Sequence, residues 1–293
     1  MRTPAPFALA AALALSAALP AGLTGCKSFS DLAQSADKPT LRVVGAGIDS
    51  LDLQSAGLTF DVEVTNPYSV PLPLTNVKYA LAAGATSAGG GGAAAQTPFL
   101  SGNAAMQGNI PASGKKTIKV PTRVVFADVL SAAKGVKPGA VVPYAADLDF
   151  SVDAPVVGKL NLPVRKQGDL PVPAAPEVRV ADAKWETRGL TGASGLLTLN
   201  VKNTNAFPLD LRTLGYALEV GGKRVAGGDV SKALALAPGA AGNIEIPLDV
   251  SLTNLGMGAF AMLTGSKDTY KVTGSVAAGT PFGPANLGYT SAK

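Results

Sequence analysis

The sequence predicts an all-β protein made of two tandem β-sandwich repeats, each carrying one short helix. Three observations carry this. Apolar and polar residues alternate with period two through most long runs, proline and glycine clusters separate those runs, and one residue pattern recurs in the second half of the chain.

In chain order, residues 1–26 read MRTPAPFALAAALALSAALPAGLTGC. Arg2 supplies a positive start, and Phe7 to Leu19 forms an apolar run too short for a bilayer, which needs about 20 apolar residues. Leu23, Thr24, Gly25 and Cys26 then resemble a bacterial lipobox: an aliphatic residue, two small ones that fit a peptidase cleft, and a thiol that becomes a thioether to diacylglycerol. Residues 1–25 are expected to be removed as a signal peptide, leaving lipid on Cys26. Two or three acyl chains then give stable anchoring. The absence of aspartate at Lys27 points to the outer membrane of the cell envelope. Residues 26–38 are small and polar, as expected of a flexible stalk.

The first repeat is expected over 39–172. LTFDVEVTNPYSVPLPLTNVKYAL (58–81) is answered by GLLTLNVKNTNAFPLDLRTLGYAL (195–218). Asn66, Pro71, Leu72 and Tyr79 fall on Asn203, Pro208, Leu209 and Tyr216, 137 positions on. Further along, Ile118, Pro121 and Tyr144 match Ile244, Pro247 and Tyr270 at a spacing of 126. The first copy is therefore 11 residues longer, and GATSAGGGGAAAQ accounts for this as a hairpin loop. Phe60, Val62 and Val64 alternate with Asp61, Glu63 and Thr65, so one strand face is buried and the other wet. Pro67 holds Asn66 extended, and the Asn66 side chain can bond local backbone and stop the strand. Pro71 and Pro73 cannot donate to a ladder, so this stretch belongs at an edge or a crossing between sheets. Leu72 and Leu74 share a face and point into the core. Val124–Lys134 has helical apolar spacing, with Asp128 near its start.

QGDLPVPAAPE (167–177) reads as a short semi-rigid linker. The second repeat is expected over 173–293, with a helix-like segment at Leu252–Leu263. Trp185, the only tryptophan, aligns with Ile48 and is expected to face the core.

The strand ending in Asn66-Pro67-Tyr68, the Pro71-Leu72-Pro73-Leu74 run, the Val77–Leu81 strand and the Ile110–Gly114 turn together resemble the late embryogenesis abundant type 2 family, also called the water stress and hypersensitive response domain. The resemblance covers nearly all of the chain after the signal, once per copy. The second copy departs from it at Asn203-Thr204-Asn205, where Asn-Pro is expected. It implies a seven-stranded sandwich of fibronectin- or immunoglobulin-like appearance with one short helix. It also implies a role in desiccation or stress tolerance, without catalysis.

Composition narrows the chemistry. The chain of 293 residues has no histidine and one cysteine, which removes the commonest general base and metal ligand, any internal disulfide and any cysteine-cluster metal site. The formal charge of +5 is scattered. Its densest spots, Lys115-Lys116 with Lys119 and Arg165-Lys166, lack the aromatics of a nucleic-acid surface and read as solvated faces. Gly89 to Gly92 lacks the Gly-Lys-Ser/Thr of a phosphate loop, and Gly45-Ala46-Gly47 lacks the third glycine of a dinucleotide site. Asp147, Asp149 and Asp153 share a strand face, but alternate residues sit about 7 Å apart, too far to ligate one ion unaided. No catalytic residue, metal or cofactor is expected.

The leading expectation is a non-enzymatic lipoprotein held to a membrane through Cys26, with a protective or envelope-interaction role. The alternatives are a module for lipid or another apolar ligand, bound in a groove between the sheets, an enzyme, and an adaptor for an envelope protein.

Overall fold

The computed structural model describes residues 38–84, 96–154, 158–188, 192–251 and 270–291. The first copy comprises β1 (Thr40–Leu51), β2 (Ser55–Thr65), β3 (Leu72–Ala83), β4 (Thr97–Ala105), β5 (Asn109–Ile110), β6 (Lys115–Val125), helix α1 (Phe126–Ala132), β7 (Val141–Ala154) and β8 (Gly158–Pro171). The second comprises β9 (Glu177–Thr187), β10 (Gly192–Lys202), β11 (Leu209–Val220), β12 (Lys223–Leu236), β13 (Ala241–Ser251), β14 (Tyr270–Thr280) and β15 (Gly283–Thr290). The helix expected at 252–263 lies outside the described residues.

Each copy is a sandwich of a three-stranded and a four-stranded antiparallel sheet. In the first, β1-β2-β6 faces β4-β3-β7-β8, with short β5 beside the start of β3. In the second, β9-β10-β13 faces β12-β11-β14-β15. The predicted alternation is the packing pattern. Phe60, Val62 and Val64 of β2 and Leu197, Leu199 and Val201 of β10 are fully buried, as are Phe150, Leu148 and Leu218. The outward side chains of β2 are tied across strands: Asp61 to Lys119, and Glu63 to both Arg42 and Lys115. These pairs are exposed and screened by water and salt, so the buried faces hold the sandwich.

Three aromatic rings lie across a strand where the neighbouring residue has no side chain. A Cβ at Gly102 would strike the Tyr79 ring, one at Gly168 the Tyr144 ring, and one at Gly195 the Trp185 ring. Each glycine is the registered partner of its aromatic on the next strand. Trp185 packs half-buried against the core, and its Nε1–H donates to Tyr270 Oη at 2.9 Å. One core layer is exchanged between the copies. Where the first has Leu148 beside Val164, the second has Gly274 beside Tyr289. The larger ring fills the space that the glycine vacates.

The copies are stacked end to end. β1 starts beside the Asn66 turn and runs to Leu51, which pairs in parallel with Ala285 near the start of β15. That pairing joins the three-stranded sheet of the first copy and the four-stranded sheet of the second into one seven-stranded sheet. The loop before β7 meets the turn after β10: Ala206 N–H donates to Gly139 O at 2.7 Å, and a Cβ at Gly139 would lie 2.8 Å from Thr204 O. Gly139 also has φ +96°, which only glycine adopts readily. Between β8 and β9, Val172, Pro173 and Pro176 are buried and Val172 exchanges backbone bonds with Gly139 and Ala140. The connection is a packed joint.

Candidate functional site

The repeated asparagine is the centre of a clasp found once in each copy. Asn66 ends β2 and is 1% exposed. Its Nδ2 donates to Val70 O (2.9 Å) and Pro111 O (2.9 Å), with Ile110 O at 3.4 Å, while its Oδ1 accepts from Tyr68 N–H (3.0 Å). Its own N–H donates to Gly114 O at 2.8 Å. Asn203, fully buried, repeats every contact. Nδ2 donates to Phe207 O (2.8 Å), Leu236 O (3.1 Å) and Ala237 O (3.3 Å), Oδ1 accepts from Asn205 N–H (2.9 Å), and N–H donates to Ala240 O (2.8 Å). A carboxamide is required because only it offers donors to one strand and an acceptor to the next turn. One side chain thus joins three segments and closes the sandwich end.

The other repeated residues serve the same closure. Leu72 and Leu209 are fully buried, and Pro71 and Pro208 are exposed beside them. Pro67 stands partly exposed where the second copy has Thr204. Pro73 pairs with Asn109 of β5, and from Asn76 onward β3 runs between β4 and β7, so the proline run marks the change of partner.

The departure at Asn203-Thr204-Asn205 has its own reason. Asn205 Oδ1 accepts from Ala174 N–H at 2.7 Å, its Nδ2 donates to Ala174 O at 3.2 Å, and Thr204 Oγ1 donates to Ala175 O at 2.8 Å. Where the first copy has Pro67-Tyr68, the second uses polar side chains to grip the connection between copies. The cue in the sequence was a pair of asparagines two apart, close after a proline-rich connector in the fold.

The three aspartates of β7 each face a cation in register: Asp147 opposite Arg165, Asp149 opposite Lys78 and Asp153 opposite Lys159. Asp147 and Arg165 are 3.6 Å apart, while Asp149 Oδ1 is buried without a hydrogen-bond partner. Alternating acids and bases across neighbouring strands make a charge ladder. Burial raises the hydroxyl pKa of Tyr144, Tyr216, Tyr270 and Tyr289, most strongly Tyr289, whose Oη donates to Gly215 O at 3.0 Å.

A recess of 630 Å³ lies beside α1, lined by Ala83, Ala132, Ala133, Val136, Val142 and Pro143 among others. Gly84 and Thr97 also line it, and the glycine-rich run between them, including Gly89 to Gly92, lies outside the described residues. Leu23, Thr24, Gly25 and Cys26 also lie outside them. Among the described residues no helix is long and apolar enough to cross a membrane.

The family model for the late embryogenesis abundant protein matches two regions, 61–168 and 198–287. A desiccation protectant protein Lea14 homolog of Glycine max is 29% identical over 136 residues, covering 46% of this chain and 82% of that protein. The late embryogenesis abundant protein Lea14-A of Gossypium hirsutum is 24% identical over 141 residues, covering 48% of this chain and 86% of that protein. Each relative therefore corresponds to about one copy. A late embryogenesis abundant protein solved in solution shares 26% identity, covering 50% of this chain and 78% of that chain, with a TM-score of 0.37.

Proposed function

This chain belongs to the late embryogenesis abundant type 2 family, with two tandem copies of its domain, and we propose that it is a non-enzymatic protectant against drying or related stress, held at a bacterial envelope membrane by lipid on Cys26. The observation that carries the protective reading is the family match in both copies, together with relatives named for desiccation. The Asn66 and Asn203 clasps support it physically, because each copy keeps a closed, hydrogen-bonded end. Protection then works by surface contact, with a rigid polar body and no bond-making chemistry.

The tether is supported by the order Arg2, apolar run, Leu23-Thr24-Gly25-Cys26. An outer-membrane address follows from Lys27. Residues 26–38 are the connection, and 39–172 and 173–293 the two working units. The test is survival of a deletion strain after controlled drying. Loss of survival relative to the parent is expected, and equal survival refutes the protective role. A second reading, binding of an apolar ligand, rests on the recess beside α1. Native mass spectrometry of the membrane-extracted protein would reveal a co-purifying lipid.

A further inference from the structure

We propose that the end of the first copy from which the chain emerges at Lys38 is a docking surface for an anionic lipid bilayer. This rests on the tether reading of Cys26 and adds to it the face that meets the membrane. Thr40, Thr65 and Lys115 stand in one register row at that end, and Lys38, Arg42, Lys115 and Lys116 are all exposed there. The acid among them is Glu63, which both Arg42 (3.4 Å) and Lys115 (3.3 Å) share. Lys116 Nζ donates to Asn109 O at 3.2 Å, a neutral partner. Nearby Asp153 and Lys159 face each other in register and cancel. Among the described residues the end therefore carries a surplus of positive charge, and Val70, 42% exposed, adds an apolar tip.

The second copy supplies an internal comparison. At its corresponding end the Thr204–Ala206 turn packs on Gly139 of the first copy, while Ala175 and Ala241 are exposed. There Lys38, Lys115 and Lys116 are replaced by Ala175, Ala241 and Gly242, and Val70 by Phe207, which is 3% exposed. The clasp closes equally well without those lysines, so the fold does not require them. They are present at the end from which the chain leads back toward Cys26. Residues 27–37 span at most roughly 40 Å, so the tether keeps this end near the headgroups. Each lysine or arginine close to an anionic surface is then favoured roughly five-fold, an effect that salt screens.

The experiment is lysine footprinting of the membrane-extracted full chain. It is reconstituted into vesicles of pure phosphatidylcholine, or of phosphatidylcholine with about a third phosphatidylglycerol. Amine acylation is then read peptide by peptide. Labelling of Lys115 and Lys116 is expected to slow about five-fold in the anionic vesicles and to recover at high salt, while Lys223 and Lys232 of the second copy are unchanged. Equal labelling of Lys115 and Lys116 in both vesicle types overturns the proposal, as does uniform slowing at all four lysines. The same spectra give the mass of the Cys26 peptide. An unlipidated Cys26 defeats the tether without touching the footprint, and a lipidated Cys26 with no footprint defeats the docking surface alone.

Discussion

Replacing Asn203 is the sharpest perturbation of the fold. Asn203→Ala removes donors to the carbonyls of Phe207 and Leu236 and the acceptor for Asn205 N–H, all in a fully buried setting. An ordinary hydrogen bond contributes a net of about 1 kcal/mol, and a stranded buried group costs about 1–3 kcal/mol. Three such groups give a loss of at least about 3 kcal/mol, a large part of a domain's stability. Denaturant unfolding followed by circular dichroism measures it. Asn203→Asp separates hydrogen bonding from shape. It keeps the acceptor but aims a carboxylate at three carbonyls, which raises its folded pKa above the unfolded value. Its stability is therefore greatest at low pH and is lost as pH rises through the folded pKa. Near neutral pH it should be less stable than Asn203→Ala, with the order reversing in acid. A loss below about 1 kcal/mol for Asn203→Ala, or an aspartate variant indifferent to pH, refutes the clasp as derived.

Four further outcomes follow from the same geometry. Asn205→Ala frees Ala174 from both of its bonds, so limited proteolysis should cut between the copies faster, and an unchanged rate contradicts the packed joint. Gly274→Ala places a Cβ against Gly215 O and should cost about 3 kcal/mol in thermal or denaturant melts. Ser113 has φ +47° where the second copy has Gly239 at +75°, so Ser113→Gly should gain, and Gly239→Ala lose, about 1 kcal/mol. The raised tyrosine pKa values stabilise the fold fully below the unfolded value near 10, and this is lost as pH rises through the folded values. Melting temperature should therefore drop in strong alkali, less steeply in Tyr289→Phe.

Much of the fold was legible because period-two alternation and an internal repeat are local and redundant signals. Phe60, Val62 and Val64 announce their face by themselves, and the spacing from Asn66 to Asn203 carries that reading to the second copy. The clasp was legible in kind, since an asparagine before a proline stops a strand, but its three-way bonding was not. Its acceptors at Pro111 and Ala237 come from a turn that reaches the asparagine only once the sheets pack. The fused sheet was hidden for the same reason. Leu51 and Ala285 stand near opposite ends of the sequence, and nothing near either names the other. Asn205 looked like a departure from the family pattern because its partner, the connector at Ala174, is outside the motif. The glycines opposite Tyr79, Tyr144 and Trp185 were visible as composition, while their purpose depends on strand register. At Phe126–Ala132 the helix is shorter than its periodicity suggests, and Asp128 lies in its first turn while the cap residue is Val125, which has no side-chain cap.

Protection at a membrane is tested most directly by complementation of the deletion strain with the full chain or with Cys26→Ala, at matched expression, followed by drying and viable counts. The full chain is expected to restore survival, and the folded but untethered variant to restore little of it. Equal rescue by both would contradict the need for the tether, and rescue by neither would contradict the protective role itself.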